Sequence, residues 1–311
     1  MEFYDYFRTD PYPITLKNFP DFIDGSFDRV AVGGNRCLTL QPKKGASERG
    51  IISVKEIDVL LQYPYIHTVC ISGLCQDTFE FFIRKYGPQL RAIRFLHNPM
   101  VEDWSLLGTL QGLEFVYWMS NDHISSLWDM RQNKALQGLA IQSFSRLDSL
   151  AGIEKAPSLK YLHIGDAAYP DMRMKSLTCL ASTGIRHLTF MGKEIEDGDA
   201  SFVFAMPRLE RFDFHTNLFT TEQVAWIMAN CPDLKGKSLR ALIKTTKCIY
   251  GTDVPAVQLV GMQKPLLLCQ GHERRIEKFQ EDFDALIEAY RGVSYGESFG
   301  IMTDLKASYA L

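Results

Sequence analysis

The side chains with the most chemistry open to them are three histidines, His163, His187 and His215, and seven cysteines, Cys37, Cys70, Cys75, Cys179, Cys231, Cys248 and Cys269. Imidazoles converging on one point would hold zinc, and closely spaced thiols would make a metal knuckle or disulfides. No two cysteines stand in a Cys-x-x-Cys pair, and seven is an odd number. The pattern reads as reduced thiols, several of them buried, in a cytoplasmic chain without a metal site. No Ser/His/Asp set or pair of facing carboxylates is recognisable. Gly33–Gly34–Asn35 lacks the GxGxxG or Walker context of a nucleotide loop, so no cofactor is expected.

Whether the histidines converge depends on the elements that carry them, and a repeat sets those. LRAIRFLHN (Leu90–Asn98) has apolar residues at its first, fourth and sixth positions and Asn at its ninth. The frame returns in LEFVYWMSN from Leu113 and LERFDFHTN from Leu209. Between these lie LQGLAIQSF from Leu136, LKYLHIGDA from Leu159 and IRHLTFMGK from Ile185, and IHTVCISGL from Ile66 precedes them all. Successive copies begin 24, 23, 23, 23, 26 and 24 residues apart. An apolar frame at this period is the mark of a solenoid.

Residues one apart, such as Ile93 and Phe95, point to one face of a short strand, and Arg94 between them points to the other. One such strand cannot bury its apolar face alone; seven stacked in parallel can, with the returning segments covering the far side. Asn98, Asn121 and Asn217 are expected to bond backbone groups left unpaired where each strand ends. Ala167 and Lys193 cannot do so. The frame also separates the histidines: at strand spacings of ~4.8 Å and ~6.8 Å per alternate residue, His163 and His187 lie ~8 Å apart and His187 and His215 ~14 Å. That geometry speaks against one tetrahedral metal site.

Seven copies in register resemble the leucine-rich repeat family, over roughly residues 63–235. LDSLAGIEKAPSLKYLHI (Leu147–Ile164) is similar to the short-return subtype and TTEQVAWIMANCPDL (Thr220–Leu234) to the helical-return subtype. The resemblance implies an α/β leucine-rich repeat solenoid: a curved parallel sheet, or horseshoe, with N- and C-terminal caps. It further implies a protein-binding scaffold without chemistry of its own, although fold alone does not fix function. Cys231-Pro232-Asp233 matches a Cys-x-Asp motif of bacterial ubiquitin ligases that carry such repeats. There the motif lies in a large helical domain after the array. Here it falls at the seam of the last repeat, fewer than eighty residues follow, and NCPDL reads equally as a helix-to-strand junction.

Three regions follow. Residues 1–62 form an arm and cap. The arm, 1–27, is aromatic and acidic and is expected over the first repeat or on a neighbour. A hairpin turning at Gly33–Gly34–Asn35 and a short helix over Ser53–Tyr63, capped by Ser53, come next. Residues 63–237 form the array of about seven repeats, with a return helix in QDTFEFFIRKYG. Residues 238–311 hold one imperfect strand (SLRALI), two further strands (PAVQLVG and KPLLLCQ), a helix from His272 to Gly292 and a weakly patterned tail. That helix carries a stripe of Ile276, Phe279, Phe283, Leu286, Ile287 and Tyr290.

Composition narrows the partners. Net charge is −3 over 311 residues, with 46% apolar and 23% charged residues, as in ordinary globular proteins. There is no basic footprint for nucleic acid. No apolar run approaches the ~20 residues of a membrane helix, and the first residues do not read as a secretory signal.

The frame sends its third, fifth and seventh positions to the concave face. From these rows come the candidate partner-binding residues Arg94, Phe115, Tyr117, Met119, Tyr161, His163, His187, Arg211, Asp213 and His215. Gly138 and Ala140 would leave a dip between Tyr117 and Tyr161, the anchor-and-pocket arrangement of protein interfaces. The expected function is non-catalytic recognition of a protein partner, as an adaptor or scaffold or as an inhibitor of the immunity type. The alternative is an enzyme, such as a ubiquitin-ligase-like protein, that uses the repeats to select substrate and keeps its reactive residue in 238–311.

Overall fold

Alternating apolar positions become short strands that bury one face. In the computed structural model, which describes residues 37–42, 50–166, 171–249, 252–261, 266–268 and 271–296, these strands run as follows. They are β1 (Cys37–Leu40), β2 (Thr68–Ile71), β3 (Ala92–Leu96), β4 (Phe115–Asn121), β5 (Gly138–Phe144), β6 (Tyr161–Gly165), β7 (Arg173–Met174), β8 (His187–Met191), β9 (Glu194–Ile195) and β10 (Arg211–Phe214). All but β7 and β9 join one eight-stranded sheet in sequence order, every neighbour parallel. The short β7 and β9 pair with each other.

The register aligns the repeat frame. Val69, Ile93, Val116, Leu139, Leu162, Leu188 and Phe212 stand in one row. Two residues on, Ile71, Phe95, Trp118, Ile141, Ile164, Phe190 and Phe214 stand in another. None of these is more than 2% exposed. Leu38 and Leu40 of β1 extend both rows by one strand. Cys37–Leu40, expected within a hairpin, therefore pairs in parallel with β2; the expected turn and its other arm, like residues 1–27, lie outside the described residues.

The returns close the other side of this core. The first helix, α1 (Val54–Ile57), runs into a 3-10 turn, Asp58–Gln62. Ser53 caps it in a reciprocal box with Glu56. Ile57 and Leu60 are buried, whereas Val54 and Leu61 are exposed. The expected return helix is α2 (Gln76–Tyr86), which buries Phe79, Phe82, Ile83 and Tyr86 at helical spacing. Later returns tighten to 3-10 turns at Ser105–Thr109, Ile153–Lys155 and Thr178–Ser182 and a short helix, α3 (Phe202–Ala205), before α4 (Thr221–Asn230). Trp118 stacks on Phe95 at 4.1 Å and meets the edge of Trp104 at 5.5 Å, and Trp104 meets Trp128 at 4.9 Å. Aromatic pairs of this kind contribute ~0.5–1.5 kcal/mol each beyond their buried area.

Each strand must hand its chain to the next return, and the backbone does this in one repeated way. The residue at the eighth position, Gly73, His97, Ser120 or Ser143, has positive φ (75°, 51°, 67° and 54°) in four successive copies. At the ninth position, Asn98 accepts from Leu74 N–H at 2.8 Å and donates to the Ile71 and Leu96 carbonyls. Asn121 accepts from the His123 and Ile124 N–H groups and donates to the Asn98 and Val101 carbonyls. Asn217 differs from expectation: it is exposed. There Ser238 Oγ donates to the Phe214 carbonyl at the strand end. On the return side, buried Asn133 donates to the Leu107 and Leu110 carbonyls and accepts from Trp128 Nε1.

Beyond the sheet, β11 (Leu242–Ile249), β12 (Thr252–Leu259) and β13 (Leu266–Leu268) form an antiparallel sheet. The last helix, α5 (Glu273–Tyr290), buries Phe283 and Tyr290 and leaves Ile276, Phe279, Leu286 and Ile287 half-buried. It docks on α4, where Asn230 Nδ2 donates to the Tyr290 carbonyl at 3.0 Å and Trp226 Nε1 to the Val293 carbonyl at 2.9 Å. Among the described residues no helix is long and apolar enough to cross a membrane.

Candidate recognition face

The sheet face opposite the returns is built from the residues between the two apolar rows. Register places Thr39, Cys70, Arg94, Tyr117, Ala140, His163, Thr189 and Asp213 side by side along its centre. This centre row is buried: Arg94 is 2% exposed, Tyr117 1%, His163 7% and Asp213 4%. The rows on either side are more open. Phe115, Tyr161, His187 and Arg211 on one side, and Met119 and His215 on the other, are half-buried.

Tyr117 is the middle of the face. Its ring packs with Ala140, Leu96, Phe115, Met119 and Tyr161 in a small cluster separate from the main core. The Arg94 guanidinium lies 4.8 Å from the ring centroid. Its hydroxyl crosses to the next strand and donates to Gln142 Oε1 at 2.6 Å. Gly138 and Ala140 are thereby buried, so the expected dip is filled. Burial pushes the Tyr117 phenol up to about 12, against the pull of Arg94. Tyr117 is thus a packed residue and not an open anchor; Tyr161, expected beside it in that role, keeps exposed area.

The other end of the face is polar. Tyr161 meets the edge of His187 at 5.1 Å, and His187 Nε2 lies 3.8 Å from Glu210. Arg211 Nε donates to Asp213 at 2.5 Å, and Asp213 also accepts from Lys237 N–H at 2.7 Å. His163 Nε2 lies 3.1 Å from the Gln142 amide nitrogen and 3.0 Å from the Gly165 carbonyl. Burial lowers the His163 imidazole to about 4; the Gly165 carbonyl and the charges of Asp166 and Asp213 oppose that fall. Burial also lowers His215, against a bond to the Asp166 backbone. Gly165 permits this corner: its φ is +88°, and a Cβ there would come within 2.4 Å of the Met191 backbone.

His163 and His187 are offset diagonally, since register sets His163 opposite Thr189, two residues along from His187. Among the described residues no group of three His, Cys, Asp or Glu side chains could hold a metal ion. Cys231 closes α4, its N–H bonded to the Ile227 carbonyl, and burial pushes its thiol up to about 11. A thiol so shifted is protonated at neutral pH and a poor nucleophile. Gln142 is the residue of this face that the list of candidates missed. Its place in the seventh row was legible, but its link between Tyr117 and His163 spans three strands.

No family model matches the chain, and none of the curated proteins matches it. Five solved chains match. One is an internalin (inlF) from Listeria monocytogenes, at 15% identity and a TM-score of 0.46, covering 59% of this chain and half (50%) of that one. A likeness this distant adds nothing to the functional argument.

Proposed function

We propose that the chain is a protein-recognition scaffold of the leucine-rich repeat type, binding a protein partner on the sheet face opposite its returns and carrying no catalysis of its own. One observation supports this above the others: a buried, packed centre row is flanked by half-buried aromatic, apolar and charged side chains on parallel strands of one sheet. Interfaces draw affinity from large side chains held in place before the partner arrives. Phe115, Met119 and Tyr161 supply the apolar part, and His187, Arg211 and His215 the polar end. Use as an adaptor or as an inhibitor both fit this surface. A reducing, cytoplasmic setting is part of the proposal, supported by the unbridged thiols Cys70, Cys75, Cys179 and Cys231.

The test is a tagged pull-down from the source cells, comparing wild type with a Phe115→Ala/Tyr161→Ala variant. The expected result is loss of a specific protein with little change in Tm. Capture of the same proteins by both chains would overturn the reading.

A further inference from the structure

Tyr117, Gln142 and His163 form a chain of contacts across β4, β5 and β6, and the hydrogens in it are not independent. A neutral imidazole has one N–H and one bare nitrogen, and the Gly165 carbonyl can only accept. With Nε2 bare, Gln142 donates its N–H to the ring and offers its oxygen to the Tyr117 hydroxyl. That is the arrangement seen, with Gln142 Nε2 toward His163 and Oε1 toward Tyr117. With Nε2 protonated, the ring donates toward Gly165 and Gln142 must turn its oxygen to the ring. The Gln142 N–H then points at Tyr117, whose hydroxyl changes from donor to acceptor.

The neutral ring can adopt either arrangement, but the imidazolium, with both nitrogens protonated, allows only the second. We propose that His163 and Gln142 are a proton-linked relay that sets the hydrogen-bond polarity of Tyr117, and through it the packing of the recognition face. The surroundings suit such a relay. Asp166 follows on the ring's own chain and is itself met by His215, and the charge of Asp213 acts from the β10 side. Flanking strands place neutral Ala140 and Thr189 beside the ring. On the far side of Gln142 stands Tyr117, with Arg94 over its ring and hydrogen-bonded to its phenol as a donor in either arrangement. Gln142 and the Gly165 carbonyl, which bond the ring, are neutral, so gaining a proton must rearrange them. Tyr117 shares its cluster with Phe115, Met119 and Tyr161, so the change reaches the side chains assigned to the partner.

The inference rests on the recognition reading for its consequence, while the relay itself is measurable without a partner. The full chain would carry 13C-labelled tyrosine and histidine and be titrated by NMR from pH ~7.5 to ~3. Tyr117→Phe and His163→Gln variants assign the two signals. The Tyr117 ring signal should move with the same midpoint as the His163 imidazole. In Gln142→Leu, or Gln142→Met if the first does not fold, His163 should still titrate while Tyr117 stays still. A Tyr117 signal that ignores pH, or one that moves equally without Gln142, would overturn the relay. So would unfolding of the wild type before the imidazole titrates. Loss of partner binding in Phe115→Ala/Tyr161→Ala bears on the recognition face alone, so the two ideas fail separately.

Discussion

Replacing Asn98 by Ala tests whether the repeats are held together by buried amides as well as by apolar contact. Asn98 is 0% exposed, so water cannot take over its bonds. Its Oδ1 accepts from Leu74 N–H in the preceding repeat at 2.8 Å, and its Nδ2 donates to the Ile71 and Leu96 carbonyls at 3.1 and 3.2 Å. A buried N–H stripped of its acceptor costs ~1–3 kcal/mol, and the loss of ordinary bonds ~0.5–1.5 kcal/mol each. The carbonyls are the cheaper part, since each has a second lone pair. The sum is a loss of about 3–4 kcal/mol, which at an m-value of ~3 kcal/mol/M lowers the urea midpoint by about 1 M. Asn217→Ala is the matched control, because that amide is exposed; surface substitutions of this kind stay within ~0.5 kcal/mol. Hydrogen exchange gives a local readout: the Leu74 amide should lose protection in Asn98→Ala before the rest of the sheet does. If Asn98→Ala costs under ~1 kcal/mol, or as much as Asn217→Ala, the amide ladder is not what joins the coils.

Stability should fall on mild acidification through His163. Burial lowers its folded imidazole to about 4 against the usual 6.5, so the unfolded chain binds the proton first. Stability is therefore full above ~6.5, declines at about 1.4 kcal/mol per pH unit below it, and has lost about 3 kcal/mol by pH ~4; urea midpoints of His163→Gln should lack this component. Tyr117→Ala should cost ~3–4 kcal/mol, as truncation of a buried aromatic does, and Tyr161→Ala well under half of that, read as Tm. Alkylation of Cys231 at neutral pH should run about two orders of magnitude slower than that of a free thiol; an unchanged total rate in Cys231→Ala agrees, and a large drop contradicts its burial.

The repeat frame carries much of the fold because it is a statement about sides. A strand alternates faces every residue, so apolar positions one apart, stacked in register, define the core rows without any knowledge of the turns. Phe79, Phe82, Ile83 and Tyr86 were legible for the same reason at helical period. Cys37–Leu40 was not, because Asn35 stands where the frame has its first apolar residue and LTL alone fits a hairpin as well as a parallel strand. The left-handed residues His97, Ser120 and Ser143 were hidden too, since nothing in a His or Ser announces positive φ.

By itself, then, the sequence determined which side chains share a face and which lie opposite one another from strand to strand. Only the tertiary structure decided how much of each remains open, since exposure depends on lateral neighbours that come from copies some two dozen residues away. Tyr117 was rightly assigned to the face and wrongly expected to be open, because its hydroxyl reaches Gln142 over the small Ala140. Asn98 and Asn217 occupy the same place in the frame, yet one is enclosed between coils and the other faces solvent. Periodicity sets direction; enclosure is a property of the assembled sheet and the segments that cover it.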